Sequence, residues 1–331
     1  MKAMLPKISI LIPVYNVEKY IERCLRSVAE QTYEGEMECI IVDDCGTDGS
    51  MTLAKKFVSE YSGAIDFCIT RHEKNRGSAA ARNTLIDAAT SDFVVWVDAD
   101  DVLCNNAVEL MTERQKDEDA DMVFSDYYIE TENGQERKER NINENKEKFL
   151  LDILGFKNRQ HYLWGMMTRT SLYKDNNIYC KEGVNIGEDF LVLSQLLYYA
   201  KKIAKVDKPL YIYNRLNEDS YTHVYTEDNG KQDLETFDVL REAFMDKKGK
   251  YIGAIDCGEA IYLHTCLSNH EETIGADLKK EMIRRFNNLS SYSKRNISPI
   301  IRFFIKYGMF RMWNFYKACS NIKYELYEKI K

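Results

Sequence analysis

The first hundred residues alternate between short apolar runs and segments with helical spacing. Ile8–Val14 is a continuous run of β-branched and other apolar residues, as expected of a strand buried on both faces. Asn16 is placed to cap the helix that follows. Similar patterns predict strands at 37–42, 65–70 and 93–97, and helices at 17–28, 51–61 and 78–89. This alternation indicates an α/β fold with a mostly parallel sheet and helices on both faces.

Polar residues gather where three of these strands end. They are Pro13-Val14-Tyr15-Asn16, Asp43-Asp44 and the stretch from Asp98 to Asp101. Ligands of open α/β sheets bind beyond the carboxyl ends of the strands. The sequence therefore predicts a ligand site at this edge of the sheet.

The later part of the chain changes character in steps. Residues 130–148 are polar and charged and predict an exposed excursion or a flexible loop. Further strands are predicted at 164–170 and 209–213, and a helix at 190–199. Beyond about Tyr225 the pattern is helical, so we predict one domain over 1–225 and a helical C-terminal region over 226–331.

Charge is distributed unevenly along the chain. The net charge of −7 argues against nucleic acid as a general partner. From Ala276 to the end, Lys and Arg exceed Asp and Glu by 13 to 4, which leaves the rest of the chain strongly acidic. The basic tail interleaves these cations with aromatic residues, which favours docking on an anionic membrane surface. Packing of the tail on the acidic domain is the alternative.

The cysteines and the N-terminus bear on the compartment. Nine cysteines, with no C-x-x-C pair, are typical of a reducing environment. No apolar run precedes the first strand, and no stretch of about 18 apolar residues predicts a spanning helix. We expect a cytoplasmic protein, peripheral on the inner face of the membrane if the tail docks there.

The acidic stretch Asp98-Ala99-Asp100-Asp101 is the first candidate for chemistry. Carboxylates this close repel one another unless a cation or protons neutralise them. Hard oxygen ligands suit Mg²⁺ or Mn²⁺, which bridge protein carboxylates to diphosphate oxygens. The structural alternative is an acidic turn in which Asp101 caps the next helix.

Two further segments could contact a nucleotide. Asp43-Asp44 could accept hydrogen bonds from a base N–H or from ribose hydroxyls, or could simply form a turn. In the segment 72–83, Gly77 allows close approach, the helix start offers N–H groups, and Arg76 and Arg82 could pair with phosphate. The alternative for this segment is a helix N-terminus with exposed arginines.

Gly187-Glu188-Asp189 precedes the predicted helix at 190–199. A carboxylate there could accept a proton from an attacking hydroxyl. Capping of the helix is the alternative, and local sequence alone favours it.

Together these motifs resemble family 2 glycosyltransferases of the bacterial polysaccharide-biosynthesis type. The resemblance rests on Pro6 to Asn16, Ile41 to Ser50, Gly77 to Asn83, Asp98 to Asp101 and Glu188-Asp189, in the order and spacing of that family. It covers about residues 8–222. Cys45 departs from the Gly or Ser that the family usually has at this position.

The resemblance implies a GT-A-type fold and an inverting, metal-assisted mechanism. It assigns the base contact to Asp44, ribose and metal contacts to Asp98, the principal metal contact to Asp100, and the general base to Asp189, with Glu188 beside it. It extends donor binding to Pro13, Tyr15, Asn16, Asp43, Arg76, Gly77 and Arg82, and to Arg215 and Ser220, which could close over the diphosphate. Trp164 lies on the acceptor side by this resemblance, and core packing is an equal alternative.

We therefore predict transfer of a sugar from a nucleotide-diphosphate donor to a hydroxyl acceptor. By analogy the donor is a UDP-sugar, the acceptor a saccharide or lipid-linked saccharide, and the cofactor Mn²⁺ or Mg²⁺. A sugar-phosphate nucleotidyltransferase is one alternative, but residues 13–19 lack the Gly-rich phosphate loop that it needs. A non-catalytic sugar-nucleotide binder is another, but Asp98, Asp100 and Asp189 are all present.

Overall fold

The computed structural model describes residues 5–217, 225–270 and 272–309. The chain divides into two compact units. One comprises residues 1–150 and 160–220, and the other comprises residues 151–159 and 221–331.

The first unit is built on a mixed sheet. Its described strands are β1 Ile8–Val14, β2 Met37–Asp43, β3 Asp66–Arg71, β4 Phe93–Trp96, β5 Val102–Leu103, β6 Met122–Thr131, β7 Gly134–Lys138, β8 Met166–Arg169 and β9 Ile203–Asn214. The order is β3-β2-β1-β4-β8-β6-β9-β5, with β7 paired to β6. The first four strands are mutually parallel where they pair, and β8 joins them to the rest in antiparallel fashion.

Helices follow the strands of this unit as the alternation predicts. They are α1 Ile21–Ala29, α2 Ser50–Glu60, α3 Ser78–Ala88, α4 Ala107–Glu118, α6 Thr170–Asp175 and α7 Glu188–Tyr199, while α5 Lys146–Leu154 runs across the division between the units. In α1 the buried residues Ile21, Cys24, Leu25 and Val28 recur at helical spacing. That spacing gives α1 one continuous apolar face for the sheet.

The core of the first unit lies along β1. Its side chains are buried on both faces of the sheet, which explains its unbroken apolar sequence. Burial of one such side chain contributes about 1.5–3 kcal/mol. β3, by contrast, is an edge strand with four of its six residues exposed.

Two local predictions were wrong, and one was right but too short. Residues 130–148 include the end of β6 and all of β7, which form a hairpin rather than an excursion; β7 is polar because it is exposed. The strand predicted at 209–213 is the end of the longer β9, whose first half is partly polar. Asn16 does not cap α1, which begins after Tyr20; it instead adopts a left-handed backbone with φ 51°.

The described part of the second unit is helical. Its helices are α8 Glu227–Phe244, α9 Gly249–Asn269, α10 Ala276–Asn288 and α11 Pro299–Lys306. Thr226 and Asn229 form a capping box at the start of α8. Buried apolar residues of the four helices, including Leu234, Leu263 and Met282, form a separate core. None of the helices seen within these described ranges has the length and apolar character needed to cross a membrane.

Candidate active site

The site forms where β1, β2 and β4 end side by side. Val14 and Asp43 are register partners, so the loops after β1 and β2 leave the sheet together. The amide oxygen of Asn16 accepts a hydrogen bond from the N–H of Thr47 at 2.7 Å, which ties the two loops to each other. Tyr15 beside it is 46% exposed. The predicted donor-binding residues at the ends of β1 and β2 therefore share one edge of the sheet.

Asp44 is buried and connects the end of β2 to the start of α3. Its carboxylate accepts hydrogen bonds from the N–H groups of Arg76 and Gly77 at 2.9 and 2.8 Å. Its Oδ1 also lies 2.6 Å from Nδ1 of His72. Asp44 is thus more than a turn-former, because it holds the whole segment that precedes α3.

The start of α3 is already occupied by protein groups. Asn185 accepts a hydrogen bond from the N–H of Ala79 at 3.1 Å. Gly77 has φ 86°, and a Cβ there would meet the side chain of Asn185 at under 3.0 Å. The close approach predicted at Gly77 is therefore made by Asn185. The N–H groups of Arg76, Gly77 and Ala79 are hydrogen-bonded within the protein.

Arg76 and Arg82 have different surroundings. The Arg76 guanidinium donates to Glu182 at 2.8 Å near the surface. Arg82 is buried, and its guanidinium lies 3.2 Å from Asp98, 3.3 Å from Asp189 and 3.7 Å from Glu188. The alternative of an exposed arginine is therefore wrong for Arg82, which brings the carboxylate of Asp98 together with those of the adjacent Glu188 and Asp189.

Electrostatics in this cluster follow from burial and proximity. Burial alone would lower the pKa of Arg82, but the carboxylates of Asp189, Asp98 and Glu188 raise it above its ordinary value. Burial raises the pKa of Asp189, and Arg82 opposes part of that rise. Burial and the neighbouring Asp189 raise the pKa of Glu188 to about 8.

Glu188 and Asp189 do not cap α7. The N-cap position belongs to Gly187, with φ 81° and no side-chain cap hydrogen bond, so the capping alternative is wrong. Glu188 instead accepts a hydrogen bond from the Ser78 hydroxyl at 3.1 Å. Oδ2 of Asp189 accepts one from the N–H of Leu163 at 3.2 Å. Both carboxylates thus point into the cluster around Arg82.

Three buried polar atoms of this cluster lack a hydrogen-bond partner among the described residues. They are Nε and Nη1 of Arg82 and Oδ1 of Asp189. Nε and Oδ1 nevertheless face each other at 3.3 Å as an ion pair. Unsatisfied polar atoms are costly in a protein interior. Nη1 of Arg82 therefore retains the capacity to donate to a polar ligand beside the carboxylates.

The three aspartates of the acidic turn have different surroundings. Asp101 is buried and accepts hydrogen bonds from the hydroxyl of Tyr211 and the N–H of Asn214 at 2.7 and 2.8 Å. It does not cap α4, whose N-cap is Asn106. Asp100 accepts a hydrogen bond from the amide of Asn217 at 2.8 Å. Asp101 therefore holds the turn, while Asp98 and Asp100 remain as candidate metal ligands.

The donor set fits a hard divalent cation only in part. Burial and the neighbouring Asp98 raise the pKa of Asp100, which forms no ion pair with a described Lys or Arg. A cation would offset this unfavourable burial of charge. Within the ranges described, no three His, Cys, Asp or Glu side chains are grouped to hold a metal by themselves. Asp98 and Asp100 would thus need additional oxygens, such as those of a diphosphate.

The other predicted contacts are spread around this centre. Arg215 is exposed, and its N–H donates to the carbonyl of Glu130 at 3.0 Å. Ser220 lies outside the described residues. Trp164 is 7% exposed and stacks between Tyr162 and Tyr211, with ring centroids 3.8 and 4.7 Å away. Core packing accounts for Trp164, although it is next to Leu163, which contacts Asp189.

Sequence reasoning did not identify Arg140 or Asn217, and it named His72 only as the first residue of the candidate segment 72–83. Arg140 is 1% exposed and donates to the carbonyls of Tyr162 and Trp164 at 2.6 and 2.7 Å. It therefore fixes the segment that contacts Asp189. A lone arginine in a charged stretch carries no pattern that would have revealed this role.

Comparisons with known proteins agree with this geometry. The family described as glycosyl transferase family 2 matches residues 9–176, just over half of the chain. Glycosyltransferase GlyA of Streptococcus pneumoniae is 28% identical over 244 residues, which cover 67% of this chain and 32% of GlyA. This chain therefore spans about a third of that relative's length.

Two solved structures have similar folds. One is residues 1–349 of S. aureus TarS, a poly(ribitol-phosphate) beta-N-acetylglucosaminyltransferase, in complex with UDP-GlcNAc. It matches with a TM-score of 0.68 and 22% identity over 91% of this chain and 86% of that one. The mannosyltransferase PcManGT of Pyrobaculum calidifontis, with GDP-Man and Mn²⁺, matches with a TM-score of 0.54 and 15% identity over 96% and 85%.

These findings settle the fold and the enzyme class. The structural likenesses confirm the predicted GT-A-type fold with C-terminal helices. The family match favours a glycosyltransferase over a sugar-phosphate nucleotidyltransferase. The chain belongs to glycosyl transferase family 2 and is a glycosyltransferase.

Proposed function

We propose that the enzyme transfers a sugar from a UDP-sugar to a hydroxyl of a saccharide or lipid-linked saccharide, with inversion at the anomeric carbon. The observation that carries this proposal is the buried cluster in which the guanidinium of Arg82 lies 3.3 Å from the Asp189 carboxylate and 3.2 Å from that of Asp98. A proton acceptor there is suited to activate an acceptor hydroxyl.

The reaction is a single displacement. The acceptor oxygen forms a bond to the anomeric carbon as the bond from that carbon to the diphosphate oxygen breaks. The proton of the acceptor hydroxyl passes to Asp189. Glu188, with a pKa of about 8, keeps its proton at neutral pH, which leaves Asp189 as the ionised member of the pair. Arg82 then stabilises that charge.

Asp100 and Asp98 would hold a divalent cation, Mn²⁺ or Mg²⁺, which would neutralise the negative charge of the departing diphosphate. Mn²⁺ in the PcManGT complex supports this assignment. Asp43, Asp44, Pro13, Tyr15 and Asn16 line the strand ends at which we place the nucleotide.

The acceptor is proposed from the relatives. TarS acts on poly(ribitol-phosphate) according to its name, so we place this enzyme in polysaccharide biosynthesis. Trp164 lies on the acceptor side of Asp189 in this proposal, and Arg215 and Ser220 approach the diphosphate.

A release assay tests the proposed reaction. Purified protein with Mn²⁺ is offered UDP-, GDP- and CDP-sugars, and free nucleotide is measured with and without a mixture of saccharide acceptors. We expect release from a UDP-sugar, strengthened by acceptor and lost in EDTA. Release from GDP-sugars alone would overturn the uridine assignment, and undiminished release in EDTA would overturn the metal.

The proposal extends to the helical region 226–331 as a membrane-docking module. Ile300 and Phe303 of α11 and its C-cap residue Tyr307 are 42%, 51% and 57% exposed. Exposed Lys306 lies among them. Apolar residues beside cations suit the headgroup boundary of an anionic bilayer, on the cytoplasmic face in this proposal.

Vesicle sedimentation tests this docking. The full chain should pellet with phosphatidylglycerol vesicles at low salt and much less with phosphatidylcholine vesicles. Joint replacement Phe303→Ser and Lys306→Ser should reduce the pelleted fraction several-fold. The matched control is the double variant Met245→Ser with Lys247→Ser. It likewise removes one exposed apolar residue, Met245, which is 67% exposed, and one lysine. Equal pelleting of both double variants would contradict docking through α11.

A further inference from the structure

His72 lies between β3 and α3, at the start of the candidate segment 72–83, where the sequence assigned it no role of its own. It is 7% exposed, and both ring nitrogens face oxygens. Nδ1 lies 2.6 Å from Oδ1 of Asp44, and Nε2 lies 2.9 Å from the hydroxyl of Thr84 on α3. The N–H of His72 also donates to the carbonyl of Asp43 at 3.0 Å. The imidazole is therefore fixed at both ends, between the end of β2 and α3.

The hydrogen bonds of Asp44 leave little freedom for a ligand. A carboxylate offers about four acceptor positions, two on each oxygen. Oδ1 is engaged by His72 and by the N–H of Arg76, and Oδ2 by the N–H of Gly77. One position remains, on Oδ2. Because His72 and the N–H of Arg76 both contact Oδ1, they fix the orientation of the carboxylate. That orientation sets the direction in which the free acceptor position of Oδ2 points.

We infer that His72 is a positioning residue for base recognition, acting through Asp44. It holds the Asp44 carboxylate so that the remaining acceptor position faces a ring N–H of the donor's base. Uracil has such an N–H at N3, whereas cytosine has a bare acceptor nitrogen there. His72 therefore contributes to the preference for a uridine over a cytidine nucleotide. This inference rests on the proposed role of Asp44 in nucleotide binding.

Two substitutions distinguish the contact that Nδ1 makes with Asp44 from the contact that Nε2 makes with Thr84. In His72→Asn the side-chain amide nitrogen falls near the position of Nδ1, so the contact with Asp44 can be kept. In His72→Gln it falls near the position of Nε2, so the contact with Thr84 can be kept while that with Asp44 is lost. Both variants remove the ring, and a purely structural role would affect the two alike.

Affinity for UDP and CDP with Mn²⁺, measured by calorimetry, tests the inference, with melting temperature as a check of folding. Loss of one positioned hydrogen bond corresponds to roughly tenfold in affinity. We expect His72→Gln to lower UDP affinity by about that factor with little change for CDP. His72→Asn should keep the wild-type UDP-to-CDP ratio.

The outcomes distinguish this inference from the function on which it rests. A wild-type protein that binds neither nucleotide, or binds CDP as well as UDP, would overturn the uridine donor itself. A wild-type preference for UDP that both variants retain would overturn only the role of His72. So would a preference lost equally in both variants. If His72→Gln does not fold, loss of the preference in folded His72→Asn still contradicts the inference.

Discussion

At the scale of single residues, the site depends on the difference between two adjacent carboxylates. Glu188 accepts a hydrogen bond from Ser78 and has a pKa of about 8, whereas Asp189 forms an ion pair with Arg82 at 3.3 Å. Environment rather than residue type thus distinguishes the two carboxyls: burial raises the pKa of both, and the ion pair with Arg82 opposes the rise at Asp189.

Substitution of each carboxylate by its amide tests this difference. Asp189→Asn keeps the shape that meets Leu163 but removes the proton acceptor, so turnover at pH 7 should fall by about 10²-fold or more. Glu188→Gln resembles the protonated form already present, so its loss should be much smaller. Steady-state turnover gives the comparison, and UDP affinity should survive in both variants. Near-normal turnover of Asp189→Asn would return that residue to a structural role.

Some single residues of the site could be identified from the sequence, and others could not. Asp44, Asp98 and Asp189 were identifiable because each belongs to a short motif at the end of a strand or the start of a helix. Arg140 and Asn217 belong to no such motif. Their roles arise from partners at Tyr162 and Asp100, which only the folded chain brings near.

At the scale of elements, the end of β9 and the acidic turn after β4 form one structural unit. Tyr211 and Asn214 bind Asp101, and the side chain of Asn214 donates to the carbonyl of Asp100 at 3.1 Å. Asn217, just beyond β9, binds the Asp100 carboxylate. β9 therefore positions the proposed metal ligand.

Asn217→Ala should weaken metal binding. Partners that orient a ligand carboxylate typically contribute about 10- to 100-fold to metal affinity. We expect a loss in that range for Mn²⁺ with UDP present, measured by electron paramagnetic resonance of free Mn²⁺. Asn133→Ala, in the turn between β6 and β7, is the control. Wild-type affinity in Asn217→Ala would show that Asp100 needs no such support.

Helix α9 offers a matched pair of glycines. A Cβ at Gly258 would meet the carbonyl oxygen of Leu154 at well under 3.0 Å, whereas a Cβ at Gly253 has no atom within 4 Å. Gly258→Ala should lower the free energy of unfolding by about 1–3 kcal/mol through overpacking. Gly253→Ala should raise it by about 0.5–1 kcal/mol through helix propensity. Urea denaturation measures both, and equal midpoints would contradict the close packing at Gly258.

Strands and helices could be predicted where their apolar residues follow a single period. The strands β1, β2 and β4 and the helices between them are buried against one core, so their sequences have a clear apolar pattern. The β6–β7 hairpin and the first half of β9 are partly exposed, and their polar residues conceal the strand period. β5 has only two residues, too few for any pattern.

At the scale of the whole molecule, stability should depend on pH through the second unit. Asp233 accepts a hydrogen bond from the hydroxyl of Tyr262 at 2.8 Å, and burial raises its pKa to about 7. The unfolded carboxyl has a pKa of about 3.9. Between these values the folded chain holds a proton that the unfolded chain has released, so the free energy of unfolding falls as pH rises and the loss is complete above about 7.

Asp233→Asn removes this dependence. The variant should match the wild type near pH 4 and exceed it by up to about 4 kcal/mol at pH 8, since each pKa unit corresponds to about 1.36 kcal/mol. Denaturation at several pH values measures the difference. Glu235→Gln, an exposed position on the same helix, is the control. Parallel curves for Asp233→Asn and the wild type would contradict the buried carboxyl.

The cap on α3 has a consequence for how the chain is made. Asn185 comes 106 residues after Ala79, whose N–H it binds, and Cys180 comes 97 residues after its partner Asn83. At about 5–20 residues per second, a ribosome needs roughly 5–20 s to bridge the first interval. During that time the emerging segment from β1 to α3 lacks the groups that complete it. A pause in translation before codon 185 would therefore prolong exposure of the unpaired start of α3 to chaperones and proteases.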